Sequence, residues 1–300
     1  MKLFKNIHGE LRSGWAVTVS MAIFFGSSIL FGILLVILLY PLIGEAALEH
    51  VGPIQNLSNQ AFIFLIAFLI FKIAYRRPVS QLGLTREKWL TNFLIGILFG
   101  FIMFSVVVGI LAITGALSFS GINPGFFKEY GFYLALTTFS AGFGEEMFCR
   151  GLLTFQMKTT RKKWAILAVP SLIFSLLHLM NPGVTAISLI NIILVGVLFG
   201  VLLMRTGSLW ICIGTHGMWN LTQGGLYGIK VSGLPTTGIF VSELSGPSFL
   251  AGGEFGAEGS IVATAVLILA IWLSFRIFKN PVNSGFSYDM HLPLLRYKKI

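Results

Sequence analysis

The chain has 300 residues, of which 55% are hydrophobic and only 11% charged, and its formal net charge is +10. A soluble domain carries about 25% charged residues, so this chain lacks the polar surface of a water-facing globule and is interpreted as an integral membrane protein. The basic excess would favour nucleic-acid binding in a soluble protein. In a membrane protein, positive-inside topology explains it, so we expect a lipid bilayer as partner and no nucleic acid.

Long apolar runs predict about eight transmembrane helices. They lie at residues 15–43, 59–75, 91–117, 131–157, 164–181, 185–204, 208–228 and 259–279. Of the 21 Lys and Arg residues, 18 lie in the termini, in connections predicted on one side, or at the adjoining ends of the spans, and the opposite connections hold two. By the positive-inside rule both termini are cytoplasmic. We therefore predict an all-α, polytopic membrane helix bundle, with residues 1–300 forming a single multi-pass domain in the cell membrane.

Two glycine pairs with GxxxG spacing lie in predicted spans, Gly96 with Gly100 and Gly196 with Gly200. Small residues at this spacing let two helix backbones approach closely. We expect them to pack helices within one chain rather than between two copies.

The longest connection runs from Gly228 to Gly259 and is rich in Gly, Ser and Pro. It is predicted to be an irregular, non-cytoplasmic loop. Its two carboxylates near the last span, Glu254 and Glu258, either shape access or are solvated, and we expect them to be solvated.

Three ionisable residues lie inside the fourth predicted span: Glu145, Glu146 and Arg150. An ionisable side chain at the bilayer centre costs about 2.5–3.5 kcal/mol even on the insertion scale, so this group needs an explanation. Glu146 and Arg150 are four residues apart and share a helix face, so they can pair. Glu145 points about 100° away and has no partner in its own helix.

Candidate partners for Glu145 lie in two later spans. Phe174 and His178 are four residues apart in the fifth span, and His216 and Asn220 are four apart in the seventh. Glu145 and His178 are equidistant from the basic turn between their helices, which predicts a similar depth for both. His216 lies closer in sequence to the loop at 205–208 that precedes its helix. The spacing therefore does not fix its depth relative to Glu145 and His178.

This set of side chains suits hydrolysis of an amide without a covalent intermediate. Glu145 is a candidate general base, and a nearby histidine can orient a water molecule or share its proton. His216 and Asn220 on a separate helix can stabilise an oxyanion. Two histidines and one carboxylate also resemble a hydrolytic zinc site, whose ligands would be Glu145, His178 and His216.

Residue supply excludes other intramembrane protease designs. Asp289 is the only aspartate in the chain and lies in the polar tail, so a two-aspartate protease is impossible. No HExxH motif is present. The two cysteines, Cys149 and Cys212, lie in apolar stretches, which argues against disulfides or a thiolate zinc cluster. We interpret Cys149 as a small buried residue rather than a nucleophile.

Three motifs resemble those of the CPBP intramembrane proteases, which comprise the CAAX proteases and bacteriocin-processing enzymes and are also called the Abi family. They are EExxxR at Glu145, Glu146 and Arg150, FxxxH ending at His178, and HxxxN from His216 to Asn220. The clear resemblance covers residues 131–228, which we predict to be the catalytic core. An LGL segment at 82–84 and the loop 228–259 look like bacterial members, which implies a bacterial inner or plasma membrane.

The resemblance implies a role for each motif residue. Glu145 would be the catalytic glutamate that activates water, with His178 beside it. His216 and Asn220 would stabilise the transition state. Glu146 and Arg150 would form a supporting ion pair. The family has been described both as metalloproteases and as glutamate proteases; we favour the metal-free mechanism and therefore no cofactor, with zinc as the alternative.

The implied function is an intramembrane endopeptidase whose partner is a peptide or protein substrate at the membrane. A different class is also open. The same fold could serve as a non-proteolytic bacteriocin self-immunity protein or as a membrane adaptor.

Overall fold

The structure, a computed structural model, is a helix bundle with one small sheet, and it describes residues 3–5, 10–43, 46–160 and 162–278. Within these ranges the α-helices are α1 (Ser13–Ile43), α2 (Ala46–Tyr75), α3 (Trp89–Ile113), α4 (Phe132–Glu146), α5 (Thr154–Met157), α6 (Lys163–Leu176), α7 (Ala186–Thr206), α8 (Leu209–Asn220), α9 (Ser248–Ala251) and α10 (Ile261–Ile277). The strands β1 (Leu117–Ile122) and β2 (Phe240–Leu244) pair antiparallel. The predicted cytoplasmic tail, with Asp289, lies outside the described residues.

Each predicted apolar span coincides with a helical segment. Among the described residues, four helices are long and apolar enough to cross a membrane, within Ser13–Leu35, Ser58–Tyr75, Trp89–Ile113 and Ala186–Thr206, while α6 and α10 are shorter apolar helices. Many of the large exposed side chains are apolar, such as Ile29 on α1 and Ile73 on α2. The mostly helical membrane architecture is therefore present, whereas the eight spans and the cytoplasmic termini stay predictions.

The two-stranded sheet departs from the all-α prediction. β1 begins at Leu117, where the third span was predicted to end, and β2 lies inside the loop predicted to be irregular. Leu117 pairs with Leu244 and Ile122 with Phe240. Periodicity within either short segment did not indicate this pairing, because its partners are more than 100 residues apart in the chain.

The glycine pairs lie where helices of the same chain cross. A Cβ at Gly96 or Gly100 would lie 2.3 or 2.4 Å from carbonyl oxygens of α8. One at Gly196 or Gly200 would lie 2.7 Å from side chains of α6. Both pairs therefore pack helices within the chain, as expected. The contact of α3 with α8 also helps to position His216, which lies on α8.

Two wide π turns interrupt the helices that carry the motifs. Residues Met147–Leu153 form a π segment that continues α4 into α5, and Leu221–Leu226 form another after α8. π turns are rare and are frequent at functional sites. Here each one begins directly after a motif residue, Glu146 or Asn220.

Candidate active site

The two adjacent glutamates of α4 lie in different environments. The side chain of Glu146 is fully buried, whereas that of Glu145 is 22% exposed. Consecutive helix positions differ by about 100°, which turns Glu146 into the bundle and Glu145 towards a cavity. The predicted separation of the two carboxylates is present in the structure.

The buried side is built around Arg150. Its Nη1 donates to Glu146 Oε1 at 3.0 Å, and its side chain is 1% exposed. The guanidinium lies 4.1 Å from the ring centroid of Phe174 and 5.2 Å from that of Phe199. Aromatic faces attract a desolvated cation, so the two rings stabilise a charge that has one carboxylate partner within the described ranges.

His216 connects the two glutamates. Its Nδ1 donates to Glu146 Oε1 at 3.0 Å, and its Nε2 lies 3.9 Å from Glu145 Oε2. The ring is stacked on Phe199, with centroids 5.5 Å apart and planes at 27°. A carboxylate on one ring nitrogen sets the tautomer and orientation of a histidine, so Glu146 directs Nε2 of His216 towards Glu145.

His178 lies in the turn that follows α6, because that helix ends at Leu176. Its Nδ1 donates to the carbonyl oxygen of Phe174 at 2.8 Å, and its ring packs edge-on against the Phe174 ring. We predicted that His178 is the histidine beside Glu145. Among the described residues, the histidine within 4 Å of the Glu145 carboxylate is His216.

Glu145 faces a cavity of about 650 Å³ in the bundle. Helices α1, α2, α4 and α8, the turn after α6 and the segment 231–236 form its walls. The four residues predicted to be catalytic all line it: Glu145, His178, His216 and Asn220. A second, small cavity of about 40 Å³ also touches His178, His216 and Asn220.

Residues 128–222 match the protein family described as type II CAAX prenyl endopeptidase Rce1-like. This match agrees with the resemblance of the three motifs to the CPBP/CAAX proteases, and residues 128–222 are called the CAAX protease segment. The match covers less than half of the chain and contains all three motifs. No curated protein and no solved structure matches the chain. With the apolar helices, the match identifies a membrane protein.

Gln60 of α2 touches the site from outside the CAAX protease segment. Its Nε2 donates to Glu145 Oε1 at 3.1 Å. Sequence reasoning missed this residue, because Gln60 belongs to no motif. The available signal was an amide at the start of an apolar span, where a polar side chain is costly.

Glu258 is a second missed contact, and the expectation that it is solvated was wrong. Its Oε1 accepts from Trp219 Nε1 at 3.0 Å, and its Oε2 accepts from the backbone N of Ser232 at 2.7 Å and from the Ser232 hydroxyl at 2.9 Å. Trp219 precedes Asn220, and Ser232 lines the cavity. The carboxylate therefore ties the loop to the CAAX protease segment.

Glu254, in contrast, is exposed as expected. Its carboxylate pairs with Lys230, and the hydrogen bond from that ammonium lowers the pKa of Glu254. The Glu254 side chain is 79% exposed, so solvent screens the pair and it contributes little to stability.

The zinc alternative needs three ligands around one point. Among the described residues, no group of three His, Cys, Asp or Glu side chains is close enough to hold a metal ion. Glu145, His178 and His216 are all described. Both histidines donate Nδ1–H to a protein oxygen, which is also common in histidines that ligate a metal through Nε2. The spacing of the three side chains, and not their hydrogen bonding, therefore does not fit a three-residue metal site.

Proposed function

We propose that this protein is an intramembrane endopeptidase that hydrolyses a peptide bond in a membrane-associated peptide or protein. The observation that carries the proposal is the position of the Glu145 carboxylate, which faces His216 across one cavity shared with His178 and Asn220. The match of residues 128–222 to the CAAX protease family supports the same reaction class.

In the proposed first step, Glu145 accepts a proton from a water molecule. The water oxygen forms a bond to the scissile carbonyl carbon, and the carbonyl oxygen takes the electron pair as an oxyanion. Among the described residues, the group within ion-pair distance of Glu145 is His216, whose Nε2 lies 3.9 Å from Glu145 Oε2, and no lysine or arginine lies that close. Its carboxylate is therefore not bound in a lysine or arginine pair as that of Glu146 is, and we propose it as the general base. His178 lines the same cavity and is proposed to orient this water.

His216 and Asn220 are proposed to stabilise the oxyanion. Asn220 offers an amide donor. His216 can donate from Nε2 only when both ring nitrogens are protonated, because Nδ1 already donates to Glu146. The negative charge of Glu146 supports that doubly protonated ring, as a carboxylate does behind a catalytic histidine. Donors fixed before the reaction stabilise the charge that develops on the substrate oxygen.

In the second step the carbon–nitrogen bond breaks. The oxyanion re-forms a carbonyl, and Glu145 returns its proton to the leaving amine. The products are a carboxylic acid, which releases its proton to solvent, and an amine, and the enzyme returns to its starting state without a covalent intermediate. The Glu146–Arg150 pair is proposed to support this site without contacting the substrate.

The cavity wall indicates how a substrate reaches the site. Phe24 and Phe25 of α1 and Phe62 and Ile63 of α2 line the cavity together with the polar residues. An apolar wall beside a polar end suits an extended peptide with an apolar flank, presented from the bilayer. We propose that residues 131–228 form the catalytic core of one polytopic domain with about eight spans and cytoplasmic termini.

Peptides released from membranes test the proposal. Cells expressing the wild type are compared with cells expressing Glu145→Ala and with a control, Glu254→Ala, which changes an exposed glutamate in the loop. We expect a set of cleavage products in the wild type and the control that is missing from Glu145→Ala at equal expression. Identical peptide sets in all three strains would reject proteolysis and favour the immunity or adaptor function.

A further inference from the structure

The best-defined contact of Glu145 comes from outside the three motifs. Gln60 Nε2 donates to Glu145 Oε1 at 3.1 Å, whereas Glu145 Oε2 is the oxygen that faces His216. The two carboxylate oxygens therefore have different surroundings. One is held by α2, and the other is directed into the cavity.

Helices α2 and α4 approach each other closely at Gln60 and Gly144. Gly144 precedes Glu145, and a Cβ at that position would lie 2.5 Å from the backbone oxygen of Gln60 and 2.9 Å from its Oε1. A larger residue could not be accommodated there without a shift of one helix. One turn along, the rings of Phe64 and Phe143 pack with centroids 5.1 Å apart. The backbone fit thus holds the Gln60 amide against the carboxylate.

The two ends of the Gln60 amide differ among the described residues, since Nε2 has a hydrogen-bond partner and Oε1 has none. Its Oε1 is buried and has no hydrogen-bond partner among the described residues. A buried polar atom without a partner lowers stability. What distinguishes Gln60 is its acceptor, because its donor end binds the carboxylate that faces the cavity.

We propose that Gln60 is a positioning residue that fixes the Glu145 carboxylate and thereby makes Oε2 the oxygen that receives the proton from water. This inference rests on the proposed function, since it presupposes that Glu145 is the general base. A hydrogen bond to one oxygen stops rotation of the carboxylate about its terminal bond. Oε2 then stays towards His216 and the cavity, where the reacting water must bind.

The test is Gln60→Met, which keeps the length of the side chain and removes the donor. We expect kcat to fall about 10–100-fold, the effect of losing one hydrogen bond to a charged group, with KM within about threefold of the wild type. A loss confined to kcat is the signature of an interaction that acts in the transition state. A mere packing defect would lower the amount of folded protein rather than kcat.

Gln156→Met is the matched control. Gln156 is also a buried glutamine that joins two helices, since its Nε2 donates to Ser20 Oγ at 2.7 Å, but it lies outside the cavity. We expect it to lower the melting temperature while kcat of the folded protein is unchanged. An equal kcat for Gln60→Met and Gln156→Met, or a change in KM alone, would overturn the inference. If Gln60→Met does not fold, Gln60→Leu also removes the donor without adding a charge, and the same loss of kcat is expected.

Glu145→Gln separates the two proposals. If Glu145→Gln retains the wild-type kcat, the proposed function fails and Gln60 has no base to position. If Glu145→Gln is inactive and Gln60→Met retains the wild-type kcat, the proposed function stands and only the role of Gln60 is rejected.

Discussion

The two sides of α4 differ sharply although they begin at neighbouring residues of the same type. On the buried side, Glu146 is paired with Arg150, and both side chains are at most 1% exposed. On the cavity side, Glu145 is 22% exposed and is held by an amide rather than by a lysine or arginine. Burial and neighbouring groups, and not residue type, therefore distinguish the two carboxylates. We propose that the buried side stabilises the bundle and that the cavity side carries out the chemistry.

The largest effect on stability is expected from Glu146→Ala. Removing one partner of a buried ion pair leaves an uncompensated charge, which costs about 3–5 kcal/mol. The free energy of unfolding, measured on the purified protein in mixed micelles, should be lower by this amount. The double variant Glu146→Leu with Arg150→Met should lose less than Glu146→Ala, because it removes both charges. Turnover of the folded fraction should fall as well, because Glu146 orients His216. Wild-type stability of Glu146→Ala would contradict the assignment of a stabilising role to the buried side.

On the cavity side, Asn220→Leu should change turnover and not folding. Loss of one oxyanion donor lowers kcat about 10²–10³-fold, measured with reconstituted protein. Asn191→Leu is the matched control, because Asn191 is a buried amide that donates to the backbone oxygens of Glu258 and Ser260. That control should lose stability while kcat of the folded fraction is retained. A full kcat for Asn220→Leu would remove Asn220 from the site.

The smallest effect is expected at the loop that closes the cavity. Glu258→Ala removes the acceptor of Trp219 and Ser232, and leaving such donors unpaired costs about 1–3 kcal/mol. Hydrogen exchange of residues 228–234 should therefore speed up. Glu254→Ala, on the exposed face of the same loop, should leave exchange unchanged. Equal exchange in both variants would show that Glu258 does not hold the loop.

Helical geometry predicted the difference between the two sides, and the spaced pairs named His216 among the candidate partners of Glu145, but they did not show that His216 rather than His178 lies beside it. The i, i+4 spacing was sufficient for Glu146 and Arg150, because both lie on one helix. The position of His216 depends on how α8 packs against α3, which no local spacing encodes. The predicted position of His178 assumed that it lies on a helix, but α6 ends two residues earlier and His178 lies in a turn.

The contacts made by isolated residues were the hardest to predict. Gln60 and Glu258 belong to no spaced pair, and each meets the site through a non-local contact between elements far apart in the chain. The β1–β2 pairing is of the same kind. Motif spacing finds residues that share an element, whereas these contacts depend on how separate elements are brought together by the fold.

The most direct test of the different roles of Glu145 and Glu146 is the turnover of purified protein reconstituted in liposomes. The substrate is a peptide identified by comparing the membrane peptides of wild-type and Glu145→Ala cells. Glu145→Gln keeps the size of the side chain and removes the base. We expect kcat to fall about 10²–10⁴-fold, the usual contribution of a general base, with an unchanged melting temperature. Wild-type turnover by Glu145→Gln would contradict the assignment of the chemistry to the cavity side of α4.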